Sequence, residues 1–234
     1  MTAELALHQV GVRGRLEPLD LRIAVGERVA LLGASGAGKT TLLSLANGSL
    51  QPDQGLVQWR GQAIRTLPRR RRMEIGTLWQ DLRLIEELTV SRNVNAGALG
   101  RHSLIWALRN LLQPLEWREC LDVVTAAGLE PELMDTAVNR LSGGQRQRVA
   151  LARLLRQQPL LVLADEPLSA LDPVLAETVL NGLLNQAGCL VSLHRPDLVH
   201  RFDRVIGLRQ GRLVLDASTG DVTSDAIAWL YQSL

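Results

Sequence analysis

The sequence contains few aromatic residues and few cysteines. Its 234 residues include five Trp, one Tyr and one Phe, which together make 3% of the chain. So few rings argue against the stacking platforms on which single-stranded nucleic acids bind. The two cysteines, Cys120 and Cys189, lack the spacing of metal ligands. We therefore expect two reduced, buried thiols with no function of their own.

Long apolar runs are also missing. No apolar stretch approaches the roughly 18 residues that a membrane-spanning helix needs. The first eight residues lack the basic and then apolar pattern of a signal peptide. These two observations predict a protein that stays in the cytoplasm. With 46% hydrophobic and 21% charged residues, the chain is expected to form one compact domain with a substantial core.

The charge is nearly balanced. Twenty-six basic and 24 acidic residues leave a net charge of +2. That excess is too small to drive general binding to nucleic acid, and we expect no nucleic-acid partner. Arg65 and residues 69–72 form a basic cluster, for which a solvated helix face is favoured over a phosphate-binding patch.

The texture of the sequence changes twice along the chain. Up to about residue 61, short apolar runs alternate with Gly and Pro, which is typical of strands. Helical periodicity dominates residues 82–157, and buried strands are again indicated near residues 160–164 and 189–193. We predict a single α/β domain over residues 1–234. Its core covers about 1–81 and 158–234, and a helical subdomain is inserted at about 82–157.

A glycine-rich loop follows the apolar run at residues 28–32. Residues 33–40 read GASGAGKT, which is the P-loop or Walker A arrangement, between a predicted strand and a predicted helix. Its backbone N–H groups can surround an anion, Lys39 can reach the β- and γ-phosphates, and the Thr40 hydroxyl can ligate Mg²⁺. The predicted nucleotide-binding residues of this segment are Gly33, Ala34, Ser35, Gly36, Ala37, Gly38, Lys39, Thr40 and Thr41.

Two further predicted strands end in polar residues. Asp165 and Glu166 follow an apolar strand, in the Walker B pattern, so that Asp165 can hold Mg²⁺ and Glu166 can act as the base for a water in line with the γ-phosphate. His194 ends the next strand, where it can contact the γ-phosphate and orient Glu166. Gln80 lies where a core strand meets the helical lobe and is predicted to touch Mg²⁺.

The segment 141–145 reads LSGGQ and precedes a predicted helix. Ser142, Gly143, Gly144 and Gln145 place a hydroxyl and free N–H groups at a helix N-terminus, which suits an anion. Together with the P-loop, Gln80, the Walker B residues, the SALD segment at 169–172 and His194, this motif resembles the nucleotide-binding subunits of ABC transporters. The resemblance covers almost the whole chain. It implies the fold of an ABC-type ATPase, with a RecA-like P-loop NTPase core and an inserted helical subdomain.

The resemblance also implies a quaternary arrangement. Two copies would form a head-to-tail dimer in which the LSGGQ motif of one chain closes over the ATP held by the P-loop of the other. Asp172 would belong to the loop that crosses between the subunits. Family members usually stack an aromatic residue on adenine, and residues 7–14 offer none. Val10, Val12 or His8 are expected to pack against the base instead.

The resemblance extends to the partners. Having one ATPase unit and no predicted span, the chain is expected to work on the cytoplasmic face of the inner membrane, with separate permease subunits and, indirectly, a substrate-binding protein. The segments 79–90, 93–100, 191–197, 206–211 and 222–231 resemble the ATPases of phosphonate importers, which implies transport of phosphonate or a related phosphorus oxyanion. An ATPase of a lipoprotein-export or cell-division complex is the alternative, and an ABC ATPase acting on DNA or ribosomes is a more distant one.

The surface expected to receive a helix of the permease comprises residues 82–94 and 101–112. Within it, the spacing of Leu104, Leu108 and Leu111 predicts one face of a helix packed in the core of the lobe. The exposed Arg and Glu residues of the lobe are therefore expected to make the contact with the permease.

Overall fold

The computed structural model of the chain describes residues 3–169, 171–186 and 188–232. The strands of this part are β1 (Ala3–Val12), β2 (Leu16–Ala24), β3 (Arg28–Leu32), β4 (Gln54–Trp59), β5 (Gln62–Ala63), β6 (Ile75–Leu78), β7 (Leu161–Ala164), β8 (Cys189–Ser192), β9 (Arg204–Arg209) and β10 (Arg212–Ser218). The helices are α1 (Lys39–Ala46), α2 (Arg69–Arg72), α3 (Val90–Asn95), α4 (Leu104–Leu112), α5 (Trp117–Ala126), α6 (Gly143–Gln157), α7 (Pro173–Leu184) and α8 (Ser224–Tyr231).

Two sheets organise these strands. The larger sheet has the order β10-β9-β3-β8-β7-β6, and all of its pairings are parallel except that of β10 with β9. The smaller sheet is antiparallel and has the order β2-β1-β4-β5. Every residue of β7 and β8 is buried, as expected for central strands covered on both faces. The carboxyl ends of β3, β7 and β8 meet at one edge of the parallel sheet, where such sheets bind ligands.

Two hydrophobic clusters hold the layers together. One lies between the two sheets around α1 and includes the fully buried Trp59. The other joins the opposite face of the parallel sheet to α7 and to the helices of residues 82–157, from Val90 and Val94 on α3 to Val149 on α6. The helical segment therefore shares a continuous core with the parallel sheet, so a shift of the helices is opposed by close packing against the strands.

The predicted core face of α4 is wrong. Leu104, Leu108 and Leu111 are 71%, 55% and 50% exposed, and Ile105 and Leu112 are exposed as well. The helix itself forms as predicted, since its apolar spacing is helical and Ser103 caps its N-terminus. Only Asn110 of α4 is buried. The described chain offers no surface that covers this apolar helix, and sequence periodicity cannot tell an intramolecular partner from an intermolecular one.

The basic cluster is a solvated helix face, as predicted. None of the residues of α2 is buried. Two of its guanidinium groups are bound to carbonyl oxygens: Arg69 donates to Leu99, and Arg72 donates to Leu67 and Arg65. Among the helices of the described ranges, none is long and apolar enough to cross a bilayer.

Candidate active site

The P-loop connects β3 to α1, and its glycines are required by its backbone geometry. Gly33 has φ +148°, and a Cβ there would lie 2.3 Å from the carbonyl oxygen of Leu208. Gly38 has φ +104° and immediately precedes α1. These conformations let the chain turn back on itself and present the N-terminus of α1 to a ligand. Such a terminus carries unpaired N–H groups and a partial positive charge, which favour an anion.

Lys39 is held at the centre of this loop. Its side chain is nearly fully buried, and Nζ donates to the carbonyl oxygens of Gly33 at 2.8 Å and Ala34 at 3.2 Å. Nζ also lies 3.4 Å from Oε1 of Glu166, so the P-loop and the end of β7 are joined by an ion pair. A buried ammonium needs an anionic partner, and Glu166 provides it here. A phosphate entering the loop can take that place.

Glu166 and His194 are brought together, as the ends of neighbouring strands predict. Nε2 of His194 lies 2.7 Å from Oε2 of Glu166. The side chain of Glu166 is 14% exposed and that of His194 is 45% exposed, so the imidazole borders solvent while the carboxylate lies deeper. Glu166 has φ +49°, a left-handed conformation that is uncommon for a residue with a Cβ. Such strain is held in place only by surrounding contacts, and it is found disproportionately at functional sites.

Ser192, the last residue of β8, is the contact that sequence reasoning missed. Its fully buried hydroxyl accepts the backbone N–H of Glu166 at 2.8 Å and donates to Oδ1 of Asp165 at 2.9 Å. One hydroxyl thus fixes both Walker B residues. Asp165 is only 3% exposed. The signal was a polar residue inside the apolar run 189–193, two positions before His194. Its partners Asp165 and Glu166, which follow β7, could be identified only once β7 and β8 are known to pair.

A cleft of about 910 Å³ connects the P-loop to the other strand ends. The predicted site residues that line it are Ser35, Gly36, Gly38, Lys39, Thr40, Thr41, Gln80, Glu166 and His194. Gly33, Ala34 and Ala37 do not line it; Gly33 and Ala37 are buried and Ala34 is partly buried. In the described chain, no group of three or more His, Cys, Asp or Glu side chains is placed to hold a metal ion.

The LSGGQ segment and Asp172 lie outside this cleft. Ser142 caps α6 through a capping box, in which its hydroxyl accepts the N–H of Gln145 and the Gln145 side chain accepts the N–H of Ser142. Gly143 and Gly144 form the first turn of the helix. Asp172 caps α7 by accepting the N–H groups of Val174 and Leu175, and position 170 of the same segment is outside the described residues. The fold of one chain therefore does not bring either segment to its own P-loop.

At the other end of the cleft, only one of the three residues predicted to contact the base lines the cleft. Val10 is wrong as a base contact, because β1 turns its side chain into the core and it is fully buried. His8 does not line the cleft, whereas Val12 does. The residues that line this end and that sequence reasoning missed are Arg13, Arg15, Glu17, Asp53, Gln54 and Gln210. No distinctive spacing marks them, since they come from turns and strand ends that are remote in sequence and meet only in the fold.

The cysteines are buried and free, as predicted, and take no part in the site. Burial raises the pKa of both Cys120 and Cys189 to about 12, because a thiolate would lose its hydration there. Both therefore remain neutral thiols at physiological pH.

Known proteins share this sequence and fold. The family model described as ABC transporter matches residues 16–169. The phosphonates import ATP-binding protein PhnC of Anaeromyxobacter dehalogenans is 43% identical over 93% of this chain, although the match spans only 45% of that protein. PhnC 2 of Pseudomonas aeruginosa is 41% identical over 96% of this chain and 87% of its own length.

Solved structures agree with the family model. The dimeric structure of MJ0796, a bacterial ABC transporter cassette, superimposes with a TM-score of 0.78 and 26% identity, covering 92% of this chain and 98% of that one. In this chain the P-loop follows β3, the Walker B residues follow β7 and the LSGGQ motif begins α6. The chain therefore belongs to the ABC transporter family, as an ATP-binding subunit.

Proposed function

We propose that this chain hydrolyses ATP to power a membrane importer of phosphonate or a related phosphorus oxyanion. The observation that carries the proposal is the meeting of Lys39, Glu166 and His194 in one cleft of a chain whose relatives are phosphonate import ATP-binding proteins. The cleft supplies the chemistry of hydrolysis. The relatives supply the substrate class, which no residue of this chain determines, because the imported molecule is bound by other subunits.

Hydrolysis begins with an exchange of partners at Lys39. When ATP binds, its β- and γ-phosphates replace the Glu166 carboxylate at Nζ, and the P-loop N–H groups surround the phosphate oxygens. The released carboxylate stays in contact with His194. Glu166 then takes a proton from a water as the water oxygen attacks the γ-phosphorus, and the bond from that phosphorus to the ADP oxygen breaks. His194 holds Glu166 and touches the γ-phosphate.

The donors at this edge fit Mg²⁺ carried by the nucleotide. Thr40 and Gln80 line the cleft, and the buried Asp165 immediately precedes Glu166, which lines it as well. Mg²⁺ prefers oxygen ligands and is usually held by one or two carboxylates together with substrate phosphates and waters. Thr40, Gln80 and Asp165 are thus the residues that would hold it, and the ion would neutralise charge on the transferred phosphate.

A dimer accounts for the LSGGQ segment. Ser142 and Gly143 are exposed at the N-terminus of the 15-residue helix α6, and neither residue lines the P-loop cleft of its own chain. Two copies arranged head to tail would place this anion site on the partner's ATP, with Gly144 and Gln145 behind it and Asp172 near the crossing point. The relative MJ0796 is a dimeric cassette, which supports this arrangement.

The permease would bind the helical subdomain, at about residues 82–157. The exposed apolar residues of α4 are favoured as the contact over the exposed Arg and Glu residues of the lobe, because an exposed apolar patch of this kind is normally covered by a partner. Docking there would hold the ATPase peripherally at the cytoplasmic face of the inner membrane. A substrate-binding protein would deliver the oxyanion from the other side.

Reconstitution tests the proposal. The chain, its permease subunits and their binding protein are placed in proteoliposomes, and ATP hydrolysis is measured with methylphosphonate or with methanesulfonate, which matches its size but carries sulfur. We expect methylphosphonate, and not methanesulfonate, to stimulate ATP hydrolysis. We expect the complex with Glu166→Gln to bind ATP without hydrolysing it, because the base is lost. Equal stimulation by both anions would contradict the substrate class. Hydrolysis by Glu166→Gln at the wild-type rate would contradict the mechanism.

A further inference from the structure

We propose that the guanidinium of Arg13 provides the surface on which the nucleotide base stacks. The inference rests on the proposed binding of ATP in this cleft and goes beyond it by assigning the base site. Within the described part of the chain, no Phe, Tyr or Trp side chain lines the cleft. A purine entering it must therefore find another planar partner or remain in water.

The turn between β1 and β2 extends the cleft away from the P-loop. A Cβ at Gly38 would lie 3.1 Å from the carbonyl oxygen of Arg15, so the turn contacts the start of α1. Gly211 links the same parts, since its N–H donates to Ala37 at 3.1 Å and its carbonyl oxygen accepts the N–H of Glu17 at 2.8 Å. With the phosphates at Lys39, the ribose and base extend along this turn.

The backbone at Arg13 is held in place before any ligand arrives. Its N–H donates to Oδ2 of Asp53 at 2.7 Å, and the N–H of Asp53 donates to the carbonyl oxygen of Gly11 at 2.9 Å. Arg15 closes the turn by donating its N–H to Val12 at 3.0 Å. The start of the Arg13 side chain is thus fixed, and preorganisation of this kind lowers the entropy lost when a ligand binds.

The guanidinium itself remains available. Among residues 3–169, 171–186 and 188–232, none forms an ion pair or a side-chain hydrogen bond with the Arg13 guanidinium. A guanidinium is planar, weakly hydrated and always charged, so it stacks on aromatic faces where a lysine ammonium cannot. Val12 lines the same end and can cover the base edge. Arg15 lines the same cleft, and its carbonyl oxygen lies beside Gly38 at the start of α1, so we assign its side chain to the phosphate end of the cleft.

Calorimetry with two probes tests the assignment. The non-hydrolysable analogue AMP-PNP carries a base, whereas inorganic tripolyphosphate carries only the phosphates. Arg13→Ala should weaken AMP-PNP binding by roughly 3- to 30-fold, the range of a cation–π contact, and leave tripolyphosphate binding unchanged. Arg13→Lys should behave like Arg13→Ala, and Arg13→Trp should restore affinity by supplying a ring.

The controls separate stacking from charge and from loss of the site. Wild-type affinity for AMP-PNP in Arg13→Lys would overturn the proposal, because charge alone would then be sufficient. Wild-type affinity for AMP-PNP in Arg13→Ala would overturn it as well. Arg15→Ala should change the affinities for both probes equally. Lys39→Ala should abolish binding of both, and failure of wild-type protein to bind AMP-PNP would instead contradict the proposed function. Arg13 is exposed, so thermal unfolding should show every variant folded.

Discussion

Glu166 adopts an unfavourable backbone conformation in the position where its carboxylate makes its contacts. A left-handed conformation costs a residue with a Cβ about 1–2 kcal/mol, yet it directs the carboxylate toward both Lys39 and His194. The bond from its N–H to the Ser192 hydroxyl holds the peptide in that conformation. The position of the proposed base therefore depends on a buried side chain that does not line the cleft.

Removal of that hydroxyl should slow catalysis more than it weakens binding. In Ser192→Ala, the Glu166 N–H and the Asp165 carboxylate each lose a buried partner. We expect a fall in kcat of about tenfold or more, nucleotide affinity within about twofold of wild type, and a free energy of unfolding lower by about 1–3 kcal/mol. Steady-state hydrolysis, calorimetry with AMP-PNP and urea denaturation measure these three quantities.

Ser49→Ala is the matched control for Ser192→Ala. The Ser49 hydroxyl also donates one hydrogen bond, in its case to the carbonyl oxygen of Ser44, but Ser49 is exposed and does not line the cleft. It should leave kcat unchanged. If Ser192→Ala lowered stability while kcat remained at the wild-type value, Ser192 would be a structural residue and not a positioning residue.

The elements of the core could be predicted because their local signals agree. Short apolar runs ending in a glycine-rich loop, a carboxylate pair or a histidine predict β3, β7 and β8 and the edge at which they meet. Helix α4 was predicted correctly as an element and wrongly as a buried one. The apolar periodicity of α4 indicates that its apolar residues are covered by a partner, but the sequence of one chain does not show whether that partner is the same chain or another protein.

Polar substitutions on α4 should separate assembly from catalysis. We expect the triple variant Leu104→Ser, Leu108→Ser, Leu112→Ser to retain its fold and basal ATP hydrolysis, because exposed positions lose little on substitution. Its copurification with the permease should fall at least tenfold. Val25→Ser, at another exposed apolar residue far from the lobe, is the control. Copurification equal to that of wild type would exclude α4 as the docking surface.

At the scale of the whole molecule, nine of the predicted site residues line one cleft, whereas the LSGGQ segment and Asp172 lie outside it. The P-loop, Gln80, Glu166 and His194 converge because strand order in an α/β sheet brings them to one edge. Ser142 and Asp172 act only as helix caps within the chain. Arg13 and Asp53 were missed because they lie in loops that are remote in sequence and are brought together only when β1 pairs with β4. Sequence motifs thus predict which residues share a site when those residues lie at the same edge of one sheet.

The LSGGQ segment should matter for closure of the dimer and not for capture of the nucleotide. Ser142→Arg replaces an exposed helix cap by a bulky cation, at a point where the partner's γ-phosphate is proposed to lie. Loss of the cap costs about 1 kcal/mol, too little to unfold a domain of this size. We expect unchanged AMP-PNP affinity for the single chain and no nucleotide-driven dimer. Light scattering in the Glu166→Gln background, where wild-type Ser142 should give a stable dimer, measures the difference. Dimerisation of the Ser142→Arg protein under the same conditions would mean that the segment does not reach the partner's nucleotide, and each P-loop cleft would then have to complete its own site.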